Sequence, residues 1–484
     1  MKNALTKTLG AAFLLLTLAP NGCNQSAQPV KSYKEIKYPP LNKLNIPQPE
    51  RFELQNGIVV YLIEDHTLPL VNVSALVRAG SRWEPVNKAG LASITGSVIR
   101  TGGTGTRSGD ELDEELDRLG AVVETFVEND SGGAYVSVLK EDTDRGLTMV
   151  ADVLRNPKFP GDKIELAKIA ERDAIARRND DPGSIAFREF NRIIYGKDTA
   201  YGHITEYKTI KAISREDLVN FHKQFFQPEN VILGVWGDFG AGDMRGKIER
   251  AFGTWQRGGH PRPAVPEVDS AARERRGTYF INKEDVNQSW VVIGGLGGKR
   301  DDPDFYALTV MSSVLGGSYV SRLFNHVRSQ QGLAYSVWSG WYAEWDRLGT
   351  FMAGGGTKSE TTVQMLTSIR NEIQMLADSG ATDEEVNHAK DSILKGFAFE
   401  FDSKGEVVRR IMAYEYYGYP ADYLQNYMEN ISKVTKEDVQ RVARQSLNND
   451  KFITVVLGNQ KAFDKPLNTL GEVTTIDVTI PSDN

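Results

Sequence analysis

Cysteine is nearly absent. Cys23 is the only one in the chain, so no internal disulfide can form and stability has to come from core packing. Histidine is scarce as well. The six, His66, His203, His222, His260, His326 and His388, include no pair four residues apart, the spacing that lets two imidazoles on one helix face share a zinc ion. Single histidines with ordinary carboxylate neighbours read as surface or core-edge residues. Basic charge is not in surplus: the formal net charge is −7, which leaves no electrostatic footprint for nucleic acid. The apolar run from Leu9 to Ala19 is too short to span a bilayer stably.

What is present is the composition of a folded protein, 40% apolar and 25% charged over 484 residues, a length that predicts more than one domain. Lys2 and Lys7 ahead of the apolar run give residues 1–22 the layout of a secretion signal, so the mature chain is expected to be exported. Cys23 follows Gly22 in a position that resembles the acylated cysteine of bacterial lipoproteins, although Pro20 departs from the usual aliphatic residue. The expectation is a periplasmic protein or a lipoprotein held to the membrane at Cys23; simple export with cleavage elsewhere is the plainer alternative. Residues 23–48, rich in Gln, Ser, Lys and Pro, suit a tether.

An internal repeat organises the rest. Ser214-Arg215-Glu216-Asp217-Leu218 matches Thr435-Lys436-Glu437-Asp438-Val439, and the same offset pairs Gly237-Asp238 with Gly458-Asn459. In both copies a Ser or Thr N-cap with acidic first-turn residues opens a helix, and a β-branched run ending at Gly follows. Further signals are a tight hairpin at Asn56-Gly57, a capping box from Ser108 to Glu111, a helix opening at Thr382 and a turn at Gly102-Gly103. Gly354-Gly355-Gly356 would allow close approach to a peptide backbone, but a mobile turn is the plainer reading. Gly258 to Pro266 contains three prolines, which block helix propagation and central-strand pairing. The fold class is therefore α+β: one domain at 49–258, a linker at 259–271, a homologous domain at 272–470 and a tail at 471–484.

Leu54-Gln55-Asn56-Gly57, Gly80 to Glu84 leading to Gly90-Leu91-Ala92, Tyr201 through Asp238, and Leu315 to Val337, in this order, resemble the family of pitrilysin, insulysin and the mitochondrial processing peptidases. The resemblance implies two homologous α/β-sandwich domains. Active members carry H-x-x-E-H directly after Gly-Leu-Ala, two histidines for zinc and a glutamate as general base. Here those positions hold Ser93, Gly96 and Ser97. Counting along the chain puts the family's third ligand at Ala174, so all four groups are missing and no metal is expected in this chain.

The resemblance also assigns an arginine and a tyrosine that contact substrate, and Arg328 and Tyr335 match them. A guanidinium offers a planar fork of donors to peptide carbonyls or a carboxylate, and a phenol can donate to a carbonyl oxygen as charge develops on it. The plainer reading is a surface ion pair and a half-buried strand tyrosine. Arg322 is a weaker candidate. The resulting expectation is a non-catalytic, substrate-binding subunit of a heteromeric zinc metallopeptidase, with the zinc on a homologous partner that keeps H-x-x-E-H and peptides as substrate. An envelope scaffold or peptide-binding protein is the alternative, and an autonomous metallopeptidase at an unrecognised site is a remote third; a neighbouring gene for a chain with the intact motif would favour the first.

Overall fold

From Leu70 to Val77 half-buried and buried residues alternate without a break, the period of a strand lying with one face on a core. In the computed structural model, which describes residues 46–420 and 422–483, this is the third of six strands in a first sheet. The leader, Cys23 and nearly all of the expected tether lie outside the described residues. The first sheet comprises β1 (Glu50–Glu53), β2 (Val59–Glu64), β3 (Leu70–Val77), β4 (Val122–Val127), β5 (Gly132–Leu139) and β6 (Val231–Gly237), in the order β1-β2-β6-β3-β5-β4. The second comprises β7 (Gly277–Asn282), β8 (Gln288–Leu296), β9 (Ala334–Tyr342), β10 (Thr350–Lys358), β11 (Ile453–Gly458) and β12 (Val473–Thr475), in the order β12-β7-β11-β8-β10-β9. The inner five strands repeat one topology: β2 with β6 and β7 with β11 are the parallel pairs, and the others are antiparallel. Only the outermost strand differs, an antiparallel hairpin arm at β1 and a parallel strand from the end of the chain at β12.

The repeated helix starts are as the sequence predicts. Ser214 and Thr435 each close a capping box, opening the helices Arg215–Phe225 and Lys436–Ser446, and β6 and β11 follow. Ser108 and Thr382 do the same for Gly109–Leu119 and Asp383–Ala398. Two details differ from expectation. The hairpin at Asn56-Gly57 has positive φ only at Gly57, because the Asn56 amide is turned inward to donate to the carbonyls of Phe252 and Trp255 at 2.9 and 3.0 Å. The three glycines at 354–356 form no turn. They lie within β10, paired on both sides, and a Cβ at Gly354 would come within 2.1 Å of the Val291 carbonyl oxygen.

Each sheet packs one face on helices from its own half of the chain. The other faces are covered by exchange. From the first half, the helix Pro182–Tyr195 buries Ile185, Phe190 and Ile194 against Ile281, Val292 and Val455 of the second sheet. From the second half, Lys404–Tyr417 buries Val408, Met412 and Tyr416 against Tyr61, Ile232 and Trp236 of the first. Residues 259–269 carry no regular secondary structure and are held by hydrogen bonds from Trp83 to the Ala264 carbonyl (2.9 Å) and from Tyr201 to the Pro266 carbonyl (2.6 Å). Beyond β12 the tail continues extended: Ile476 and Val478 pack beside the Pro182–Tyr195 helix, and Ile480 reaches the first core. Asn179 donates to the Val478 carbonyl at 2.7 Å.

Candidate functional site

Gly90, at φ 103°, starts the helix Leu91–Thr101 that carries the three motif positions. No side chain of the N-cap residue satisfies the first amides. Glu84 does so from outside, accepting from Gly90 N at 3.0 Å and from Ala92 N at 2.7 Å, a carboxylate placed where the helix dipole favours it. The half-buried His203 holds that carboxylate, with Nε2 3.0 Å from Glu84 Oε1 and Nδ1 2.8 Å from the Thr199 carbonyl. Burial opposes charge on His203, but the bonds to Glu84 and Thr199 outweigh it and raise its pKa.

Along this helix Ser93 and Ser97 face outward and Gly96 is buried. Gly96 lies against β4 so closely that a Cβ there would be 2.3 Å from Val127 N and 2.7 Å from the Phe126 carbonyl carbon, both backbone atoms. Thr125 Oγ1 donates to the Gly96 carbonyl at 2.6 Å and tightens the same contact. The position of the family's general base is thus closed as well as empty of a carboxylate.

The third position requires a correction. Ser93 Oγ donates to Glu171 Oε1 at 2.5 Å, whereas Ala174 is exposed one helical turn further along Gly161–Arg177. A carboxylate therefore does face the first motif position; counting residues missed it because the spacing between the two helices is set by the loops that join them. Two serine hydroxyls and one glutamate do not fit a catalytic zinc ion, which takes three nitrogen, sulfur or carboxylate ligands and needs a base beside its water. Among the described residues no group of three or more His, Cys, Asp and Glu is placed to hold a metal ion.

Arg328 and Tyr335 are brought together. The segment Leu323–Gln330 is a π-helix, a rare form that widens the turn, and Gly332 at φ 66° reverses the chain into β9. The Arg328 guanidinium carbon then sits 5.1 Å from the Tyr335 ring centroid and 4.5 Å from that of Phe324. Among the described residues Arg328 forms no ion pair, so its donors are open to a ligand. Tyr335 is 86% exposed and Tyr319, edge-on to Phe324 at 5.1 Å, is 78% exposed. Phe324 and Tyr319 were not assigned to the site from the sequence, although both lie within the stretch Leu315 to Val337 that carries the resemblance. Arg322 is structural: it grips Glu385 at 2.6 and 2.9 Å and the Gly380 carbonyl at 2.7 Å. No hydrogen bond or ion pair links Arg328 or Tyr335 to Ser93, Ser97 or Glu171 among the described residues.

Comparison with known proteins places these features in a family context. The family described as insulinase (peptidase family M16) matches residues 59–206, and the peptidase M16 inactive domain matches residues 212–393. An uncharacterized zinc protease of Bacillus subtilis, YmxG, is 24% identical over 84% of this chain and 98% of its own length. A second, ML0855 of Mycobacterium leprae, is 27% identical over 84% of this chain and 91% of its own. Among solved structures, the peptidase M16 inactive domain from Pseudomonas fluorescens superposes with a TM-score of 0.77 at 24% identity, covering 87% of this chain and 100% of that one. The periplasmic protease PqqL from Escherichia coli gives 0.71 at 15% identity, covering 88% of this chain and 47% of that one. These structural likenesses establish the two-domain fold.

Proposed function

The chain belongs to the M16 peptidase family, and from that premise we propose that it is a non-catalytic subunit that binds peptide for a homologous zinc-bearing partner in the bacterial cell envelope. The observation that carries the reading is the contrast between two places in one molecule. At Gly96 the backbone of β4 excludes any side chain, a base included. At Arg328 and Tyr335 a guanidinium with no carboxylate partner among the described residues and an exposed phenol stand side by side. Neither group can generate a hydroxide nucleophile, but both can donate to a peptide carbonyl, and the donation strengthens as negative charge develops on that oxygen. Zinc and its activated water would come from the partner's H-x-x-E-H. Placement in the envelope rests on the leader pattern and Cys23.

The test is kinetic. This chain is reconstituted with a partner that keeps H-x-x-E-H, and Arg328→Ala and Tyr335→Phe are compared with wild type at equal subunit ratio and equal zinc occupancy. Losing the phenol oxygen alone should lower kcat/KM by about tenfold or more if its bond strengthens in the transition state, and losing the guanidinium should cost at least as much. Wild-type kinetics in both assembled variants would reject the positioning role and favour an envelope scaffold.

A further inference from the structure

At the junction of the two halves and the linker lies a cavity of about 230 Å³. Three arginines line it, Arg78 and Arg82 from the first half and Arg262 from the linker, against a single lining carboxylate, Asp346 from the second half. Arg82 is almost fully buried; its Nη1 lies 3.0 Å from Asp346, and its guanidinium stacks 4.2 Å over Trp83. Arg78 bonds to the carbonyls of Tyr416 and Glu415 and stands 4.6 Å over the Tyr416 ring. Among the described residues Arg262 donates only to the Glu229 carbonyl, at 3.2 Å. The nearby carboxylates are committed elsewhere: Glu415 to Arg51 and Tyr61, and Asp130 to the Tyr417 hydroxyl.

We propose that this cavity binds a small oxyanion, a phosphate or a short carboxylate. Each guanidinium has five N–H donors. Arg78 uses two of its nitrogens and Arg262 one in contacts with the protein, so donors remain for a ligand, in the forked arrangement that suits oxyanions. Among the described residues only Arg82 has a counter-ion within the cavity. Burial and the neighbouring charge of Arg262 both disfavour the charged form of Arg78, a cost that a bound anion offsets. The walls are set beforehand by the bonds that fasten Ala264 and Pro266, so little ordering is needed on binding. Because the lining comes from both halves and the linker, an anion there also ties the three together. This site is independent of the peptide-binding reading.

The test is calorimetric titration of the full chain with sodium phosphate and, separately, sodium malonate, at constant ionic strength with chloride as control. Saturable one-site binding of at least one probe is expected, and the two arms tell phosphate from carboxylate. Arg262→Ala, at an exposed position, should weaken binding about tenfold or more, with the unfolding midpoint in the absence of probe unchanged, and Arg262→Lys should keep part of the affinity. Absence of saturable binding by either probe, or equal affinity in Arg262→Ala, would overturn the proposal.

Discussion

Gly96 shows how one residue can decide what a helix is able to do. Its missing Cβ is what lets Leu91–Thr101 rest on the backbone of β4, so the family's glutamate cannot be put back there without displacing that strand. Gly96→Glu should destabilise the fold by roughly 1–3 kcal/mol or more, the cost of overpacking against backbone that cannot move aside, measured as a lowered urea midpoint. The triple variant Ser93→His, Gly96→Glu, Ser97→His should be destabilised at least as much and show no peptide hydrolysis by itself, because the glutamate has no room beside a metal-bound water; a triple variant as stable as wild type with chelator-sensitive turnover would refute the closure. His222 supports a second residue-scale prediction. It is buried, bonds to the Leu154 carbonyl at 2.8 Å and stacks on Phe226, and burial pushes its pKa down to about 4. In the unfolded chain an imidazole titrates near ~6.5, so the unfolded state takes up the proton first. The stability that His222 contributes is therefore complete above that value and is lost as pH falls towards about 4. At about pH 5 the loss should be roughly 2 kcal/mol. Urea unfolding of His222→Gln should show a shallower acid slope than wild type, and parallel slopes would count against this assignment.

Among the elements, the most consequential arrangement is the exchange of two helices. Pro182–Tyr195 covers the second sheet and Lys404–Tyr417 covers the first, so each sheet has one face that its own half of the chain leaves bare. Residues 49–258 and 272–470, expressed separately, should each expose a wide apolar sheet face and aggregate or bind a hydrophobic dye. Co-expressed, they should recover a folded complex through the exchanged helices. A soluble, cooperatively unfolding fragment from either span alone would show that the exchange is dispensable. The strands and helix starts were legible because a period of two, a capping box and a glycine stop are local signals. The exchange was not, since an amphipathic helix shows that it has an apolar face and says nothing about which sheet the face will meet. The tail is an intermediate case: Ile476, Val478 and Ile480 alternate with polar residues as an extended strap should, but only the fold shows that they run from the second sheet to the first core.

For the molecule as a whole, the sequence by itself determined that the chain repeats one α+β plan, that it has no paired histidines for zinc, and that Arg328 and Tyr335 are candidates for substrate contact. The first two follow from composition, spacing and motif order, which are properties of a line of residues, and the third is what the family resemblance of the stretch from Leu315 to Val337 implies. Tertiary structure decided the rest. It set Glu171 rather than Ala174 opposite Ser93, closed the space at Gly96, brought Arg328 close to the rings of Phe324 and Tyr335, and gathered Arg78, Arg82 and Arg262 around one cavity. Each of these depends on the distance between atoms far apart in the chain. That distance is set by how sheets, helices and loops pack in three dimensions, and no local pattern encodes it.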